Sequence, residues 1–147
     1  MKEASVAAAV ILADRATKAW AQEWLFPRSP VAVFPFFHLT YVENTGAAFG
    51  LLPGANLFFV AIAAALLGGL LFMRRSLAPA ERAARLGVAL VSGGALGNLY
   101  DRLAYGHVVD FLDFRVWPVF NVADSSITVG AVLLALVLGK GERKSAA

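Results

Sequence analysis

Hydrophobic residues in this chain gather into four long stretches, and the polar residues that interrupt them carry most of the information. A transmembrane helix needs about 20 mostly apolar residues, and residues 5–25, 55–73, 84–103 and 122–139 each come close. The second stretch, "ANLFFVAIAAALLGGLLFM", carries no charge. The first is interrupted by Asp14, Arg15 and Lys18, the third turns polar at its end with Asn98, Asp101 and Arg102, and the fourth has Asp124 near its start. The pattern predicts an all-α membrane protein of four transmembrane helices, one integral membrane domain over residues 1–147. A small extracytoplasmic β-rich segment is expected between helices 1 and 2. There "VAVFPFFHLTYVENTGAAFG" combines β-branched and aromatic residues with breaks at Pro35, Gly46 and Gly50. An interfacial loop anchored by Phe36, Phe37 and Tyr41 accounts for the aromatics equally well.

Composition agrees with a bilayer setting. Hydrophobic residues make up 59% and charged residues 16%, against roughly 45–50% and 25% in soluble domains. The net charge of +3 is informative through its distribution, which argues for topology and against a nucleic-acid partner. Lys2, then Arg74, Arg75, Arg82 and Arg85, then Lys140, Arg143 and Lys144 mark the N-terminus, the link between spans two and three, and the C-terminal tail. On a four-span chain these lie on one side, and the positive-inside rule makes that side cytoplasmic. The two longer connections then face outward. The first span has a basic start and the apolar core "SVAAAVILA", as a signal peptide does, but Asp14 and Lys18 stand where a small-residue cleavage site belongs. It is read as an uncleaved helix.

Charges inside spans are the candidates for chemistry, since each costs about 2.5–3.5 kcal/mol at a helix centre on insertion scales. With a rise of 1.5 Å per residue, Asp101 lies about 24 Å above Arg85, Asp124 about 24 Å above Lys140, and Asp14 about 18 Å above Lys2. All three acids therefore collect in the outer half of the membrane. Asp14 and Lys18 share one helix face, as do Asn98, Asp101 and Arg102, and Asn121 is placed to cap the fourth helix. Internal pairing of Asp14 with Lys18, or of Asp101 with Arg102, explains part of this without chemistry. Asp110 and Asp124 have no basic partner nearby in sequence.

The chain has no cysteine, only His38 and His107, and no H-E-x-x-H pair. Thiolate catalysis, Cys-ligated metal sites and a zinc hydrolase are thereby disfavoured, and neither metal nor cofactor is expected. Serine chemistry is poorly supported: there is no G-x-S-x-G elbow, and Lys18 has Asp14 one turn away. Paired carboxylates fit better. Two aspartates held close in a poorly solvated place share a proton, so one serves as base on a water and the other as acid on a carbonyl. Spacing does not choose the pair among Asp101, Asp110, Asp113 and Asp124. Asp110 and Asp113 point to opposite faces of an extended segment, so at most one of them faces the site.

Five motifs, in order, resemble the lipoprotein signal peptidases (signal peptidase II), bacterial membrane aspartyl proteases. They are "DRATK" (14–18), "NTGAAFG" (44–50), "GGALGNLYDR" (93–102), "VVDF" (108–111) and "FNVADSSI" (120–127). The resemblance implies removal of signal peptides from prolipoproteins by cleavage N-terminal to a diacylglyceryl-modified cysteine. It assigns the catalytic dyad to Asp110 and Asp124. Asn44, Asn98, Asp101, Arg102 and Asn121 match supporting positions, Asp14 and Lys18 a first-helix pair, and Asp113 fits without joining the dyad. The segment with "NTGAAFG" is expected to cover the site, with Gly46 among the glycines that allow close backbone approach. The implied setting is the bacterial cytoplasmic (inner) membrane, with both termini cytoplasmic and the site near the outer face. The expected partners are a lipid-modified prolipoprotein and membrane lipids, with the enzyme acting as a monomer. The competing reading is a small proton-coupled transporter or channel subunit. It calls for a polar path into the cytoplasmic half, which spans two to four lack.

Overall fold

The computed structural model describes residues 2–46, 52 and 54–145, with side chains described to residue 139. Residues 47–50 of the glycine-containing motif, and the side chains of Lys140, Arg143 and Lys144, lie outside the described part. Four helices form where the apolar stretches predict them. They are α1 (Lys2–Trp20), α2 (Asn56–Ser76), α3 (Arg82–Ala104) and α4 (Val122–Ser145). Helix α1 continues through a wider turn, Ala21–Leu25, and stops in a tight one, Phe26–Arg28, that contains Pro27. Among the described helices, α2 and the Val122–Gly139 part of α4 are long and apolar enough to cross a bilayer. Helices α1 and α3 carry Asp14, Arg15 and Lys18, and Arg85, Asp101 and Arg102, within their length.

Helix α3 is the centre of the bundle and packs against α1, α2 and α4. Its small residues permit this. A Cβ added at Gly94 would lie 2.4 Å from the Ala123 carbonyl oxygen of α4, and one at Gly97 would lie 2.6 Å from Asp14 Oδ2 of α1. Small residues let helix backbones approach closely and gain van der Waals packing. Helix α2 packs on one side only: Leu70 is its buried residue, while Leu57 and Phe72 are mostly exposed.

Outside the helices lies a three-stranded antiparallel sheet in the order β1 (Val31–Phe34), β2 (Phe37–Asn44), β3 (Val108–Asp113). The first two strands come from the predicted β-rich segment. The third corrects the prediction, because it comes from the connection between α3 and α4, so the sheet is not confined to the segment between helices 1 and 2. Its strand character is masked in the sequence because β3 is buried along most of its length, and a half-buried alternation of apolar and polar residues never develops. Val109 and Phe111 pack with Ala21 and Leu25 at the end of α1, and this cluster docks the sheet on the bundle. With alternate residues on opposite faces, Asp110 then points away from that cluster.

Gly94→Ala is expected to destabilise the protein by about 1–3 kcal/mol through overpacking of α3 against α4. Gly69→Ala, where an added Cβ meets nothing within 4 Å, should be neutral or stabilising by up to about 1 kcal/mol. Unfolding of both variants in detergent micelles measures the contrast, and equal stabilities would contradict this packing.

Candidate active site

The polar residues of α1 and α3 meet in a cluster closed to solvent. Asp14, Lys18, Asp101 and Asn121 are fully buried, and Asp110 is 2% exposed. The Lys18 ammonium lies 2.8 Å from Asp14 Oδ2 and 2.8 Å from Asp101 Oδ2. It donates a hydrogen bond to Asn98 Oδ1 at 2.8 Å. The Asp14 contact is an ion pair whose angle does not make a hydrogen bond. Asp101 also pairs with Arg15, whose guanidinium stacks 4.5 Å from the Tyr100 ring centroid. Two acids and two bases thus neutralise each other, as buried charges require.

The expected Asp14–Lys18 pair is present but is shared with Asp101. The alternative pairing of Asp101 with Arg102 does not occur. Arg102 turns away to donate to the Gly46 carbonyl at 2.7 Å, contacts Asn56 Oδ1 at 3.4 Å, and lies 4.5 Å over the Phe59 ring. Adjacent residues on a helix diverge by about 100°, so one of the two had to find a partner elsewhere. Two contributors were given no role from the sequence: Arg15, which lies inside the first motif, and Asn56. A charge inside the first span was itself the available signal for Arg15, whereas a lone Asn at a helix start carried none.

This cluster organises the two carboxylates expected to do the chemistry. Because Asn98 Oδ1 faces Lys18, its amide nitrogen faces outward and donates to Asp124 Oδ1 at 2.7 Å. Asn121 and Asp124 close a reciprocal box at the start of α4. Asp124 N–H donates to Asn121 Oδ1 at 2.9 Å, and Asn121 N–H donates to Asp124 Oδ2 at 3.2 Å. The predicted capping role of Asn121 is therefore present. Asp14 accepts the Ala123 N–H at 3.0 Å, so an acid from α1 also serves the α4 N-terminus, where the helix dipole favours negative charge.

Asp110 is held from the sheet side. Asn44 pairs with Val108 in the β2–β3 ladder while Asp110 pairs with Val42, which makes Asn44 the diagonal neighbour of Asp110. Its amide donates to Asp110 Oδ2 at 3.0 Å, and its own Oδ1 accepts the Gly46 N–H at 3.0 Å. Asn121 Nδ2 donates to Asp110 Oδ1 at 2.7 Å. Asn121 therefore touches both carboxylates, one through its side chain and one through its backbone. Burial first, then the charge of Asp124, push the Asp110 carboxyl up to about 7, against the hydrogen bonds from Asn44 and Asn121 and the charge of Lys18.

Asp110 and Asp124 line one cavity of about 260 Å³, together with Asn44, Asn98 and Arg102. Beyond Asp124, Trp117 and Phe120 it adjoins an apolar groove of about 430 Å³ that reaches Phe114 and Val129. Asp113 stands outside both. It accepts from Thr40 at 2.8 Å and from the Arg115 N–H at 2.7 Å. Burial raises its pKa, but these partners and the Arg115 charge outweigh it and hold the carboxyl below its ordinary range. Among the described residues, no group of three or more His, Cys, Asp or Glu is placed to hold a metal ion.

Helices enclosing a polar pocket under a small sheet describe a membrane-enzyme architecture, and the chain is similar to solved structures of that class. One bacterial membrane enzyme, solved by the in meso method at 2.3 Å, superposes with a TM-score of 0.88 at 33% identity, covering 95% of this chain and 88% of the other. Another, solved at 1.9 Å, gives 0.84 at 33% identity, covering 93% and 92%. The family model described as signal peptidase (SPase) II matches residues 6–139, and the chain belongs to that family. It is 48% identical to the lipoprotein signal peptidase of Pelotomaculum thermopropionicum, over 95% of this chain and 93% of that protein. It is 44% identical to that of Halothermothrix orenii, over 91% and 92%.

Removing the buried ammonium with Lys18→Met leaves Asp14 uncompensated and is expected to cost about 3–5 kcal/mol. The double variant Lys18→Met/Asp14→Asn restores neutrality with Arg15 and Asp101 and should cost clearly less than the two single changes added together. Unfolding in micelles tests this. Additive costs would contradict the charge coupling.

Proposed function

We propose that the chain removes signal peptides from lipid-modified prolipoproteins, with Asp110 and Asp124 as an aspartyl dyad. Membership of the signal peptidase II family and its near relatives support the peptidase activity. The dyad rests chiefly on one observation: these two carboxylates line the same cavity and share Asn121. The finer substrate assignment, cleavage N-terminal to a diacylglyceryl-modified cysteine, rests on the motif resemblance.

The chemistry follows from the placement. The pair shares one proton, held on Asp110, whose carboxyl is pushed up to about 7. Asp124, as carboxylate, takes a proton from a water, and the hydroxide oxygen attacks the scissile carbonyl carbon. Asp110 gives its proton to the carbonyl oxygen, forming a neutral tetrahedral diol. Asp124 then passes its proton to the leaving amide nitrogen while Asp110 recovers one from the diol, the C–N bond breaks, and the carboxylic acid and amine leave. Arg102, Asn44 and Asn98 line the cavity with donors for the peptide and the dyad. The apolar groove beside Asp124 suits the greasy side chains or acyl chains of such a substrate.

The same reading takes residues 1–147 as one integral membrane domain whose four helices all span the bilayer, α1 and α3 sheltering their charges against each other. It puts both termini and the Arg74–Arg85 link in the cytoplasm, the sheet and dyad at the outer face of the inner membrane, and the enzyme at work as a monomer among lipids. Neither cofactor nor metal takes part in this mechanism. A proton-coupled transporter is less well supported, because the polar cluster ends at Asp14 and the cavity opens beside the sheet.

A processing assay with a diacylglyceryl-modified prolipoprotein tests the dyad. Asp110→Asn and Asp124→Asn are each expected to lower turnover by at least about 10²–10⁴-fold, while Asp113→Asn retains it; full activity in either of the first two would refute the assignment. Chelators should leave the rate unchanged.

The pH profile supplies a sign. Activity should fall as pH rises through about 7, because the shared proton is then lost. Asn44→Ala removes a donor that favours the ionised form, so its alkaline limb should move to higher pH. A shift to lower pH would contradict the role given to Asn44.

A further inference from the structure

At the opposite end of the bundle a second charged cavity lies between the first turn of α1 and the start of α3. Its volume is about 450 Å³, and Lys2, Glu3, Arg82 and Arg85 line it with Val6 and Leu86. Glu3 is already engaged: its Oε1 accepts from Arg85 Nε at 2.7 Å and its Oε2 lies 3.8 Å from Arg74. Lys2 and Arg82 have no carboxylate partner among the described residues. Three cations therefore face one carboxylate that is itself shared with Arg74. Helix α3 begins at Arg82 without a side-chain cap on its first turn, so the positive end of its dipole lies beside these cations.

We propose that this cavity holds the phosphate of an anionic phospholipid. The excess of basic groups around one cavity, beside the uncapped start of α3, fits a phosphate diester. Val6 and the partly exposed Leu86 continue the cavity toward the apolar flank of the bundle, which suits the acyl chains of a lipid and gives nothing to a free ion. Basic pockets between helices at the cytoplasmic surface are a recurring way to hold such headgroups. The positive-inside tendency accounts for the sign of charge at this end but not for its arrangement around a cavity.

Native mass spectrometry of the full chain, released from neutral detergent micelles doped with phosphatidylglycerol or phosphatidylcholine, tests the proposal. Phosphatidylglycerol should be retained and phosphatidylcholine lost. Lys2→Gln/Arg82→Gln should weaken retention roughly 30-fold, and each single change roughly fivefold, as expected for basic residues near an anionic lipid. Lys2→Arg/Arg82→Lys should keep it. Arg75→Gln, an exposed basic residue that does not line the cavity, should also leave it unchanged. Equal retention of both lipids, or an equal loss in Arg75→Gln, would overturn the site in favour of general surface attraction. Displacement of phosphatidylglycerol by millimolar inorganic phosphate would overturn the lipid assignment in favour of a free-anion site.

Discussion

The buried polar cluster that joins α1, α3 and the start of α4 is organised around one buried ammonium. Lys18 sits between Asp14 and Asp101 at 2.8 Å from each and donates to Asn98. Without that positive charge, acids from two helices would face each other in a site closed to water, at a cost of several kcal/mol for each uncompensated ion. With it, α1 is tied to α3, and the free oxygen of Asp14 reaches the start of α4. The contact also fixes the Asn98 amide. One ion cluster thereby sets the positions of three helix ends and the orientation of a donor to Asp124.

Steric and electrostatic requirements meet at the same place. Gly97 lets α3 approach Asp14, and Gly94 lets it approach the first turn of α4. The box between Asn121 and Asp124 can then form within reach of Asn98. The sheet brings the other carboxylate. Its third strand packs Val109 and Phe111 against Ala21 and Leu25, and alternation along a strand turns Asp110 the opposite way, toward Asn44 and Asn121. Asp110 is thus positioned by apolar packing on one face of β3 and by hydrogen bonds on the other.

Much of this was legible in the chain. The four apolar stretches predicted the four helices, because periodic burial and length leave few alternatives to helix in such runs. Because residue rise is nearly constant along a helix, Asp14, Asp101 and Asp124 were expected toward the same end of their helices, at about 18–24 Å from the opposite end. The motifs pointed to Asp110 and Asp124, and spacing alone did not. Hidden from the sequence was the pairing of β2 with β3, since strand partners far apart in sequence leave no local signal. Partner choice was hidden too: Arg15 and not Arg102 pairs with Asp101, a matter of helix phase and packing. The separate fate of Asp113, bound to Thr40 and Arg115, follows from strand alternation once β3 is known to be a strand.

On the proposed mechanism, the Asp110–Asp124 pair holds one proton near neutrality. Isotope-edited infrared spectroscopy of the protonated aspartyl C=O stretch, followed with pH in wild type and in Asp110→Asn, reads this without substrate. A protonated-carboxyl band that persists to about pH 7 in wild type and is lost from that range in Asp110→Asn is the expected result. A wild-type band fully titrated by about pH 5, near the ordinary carboxylate range, would contradict it.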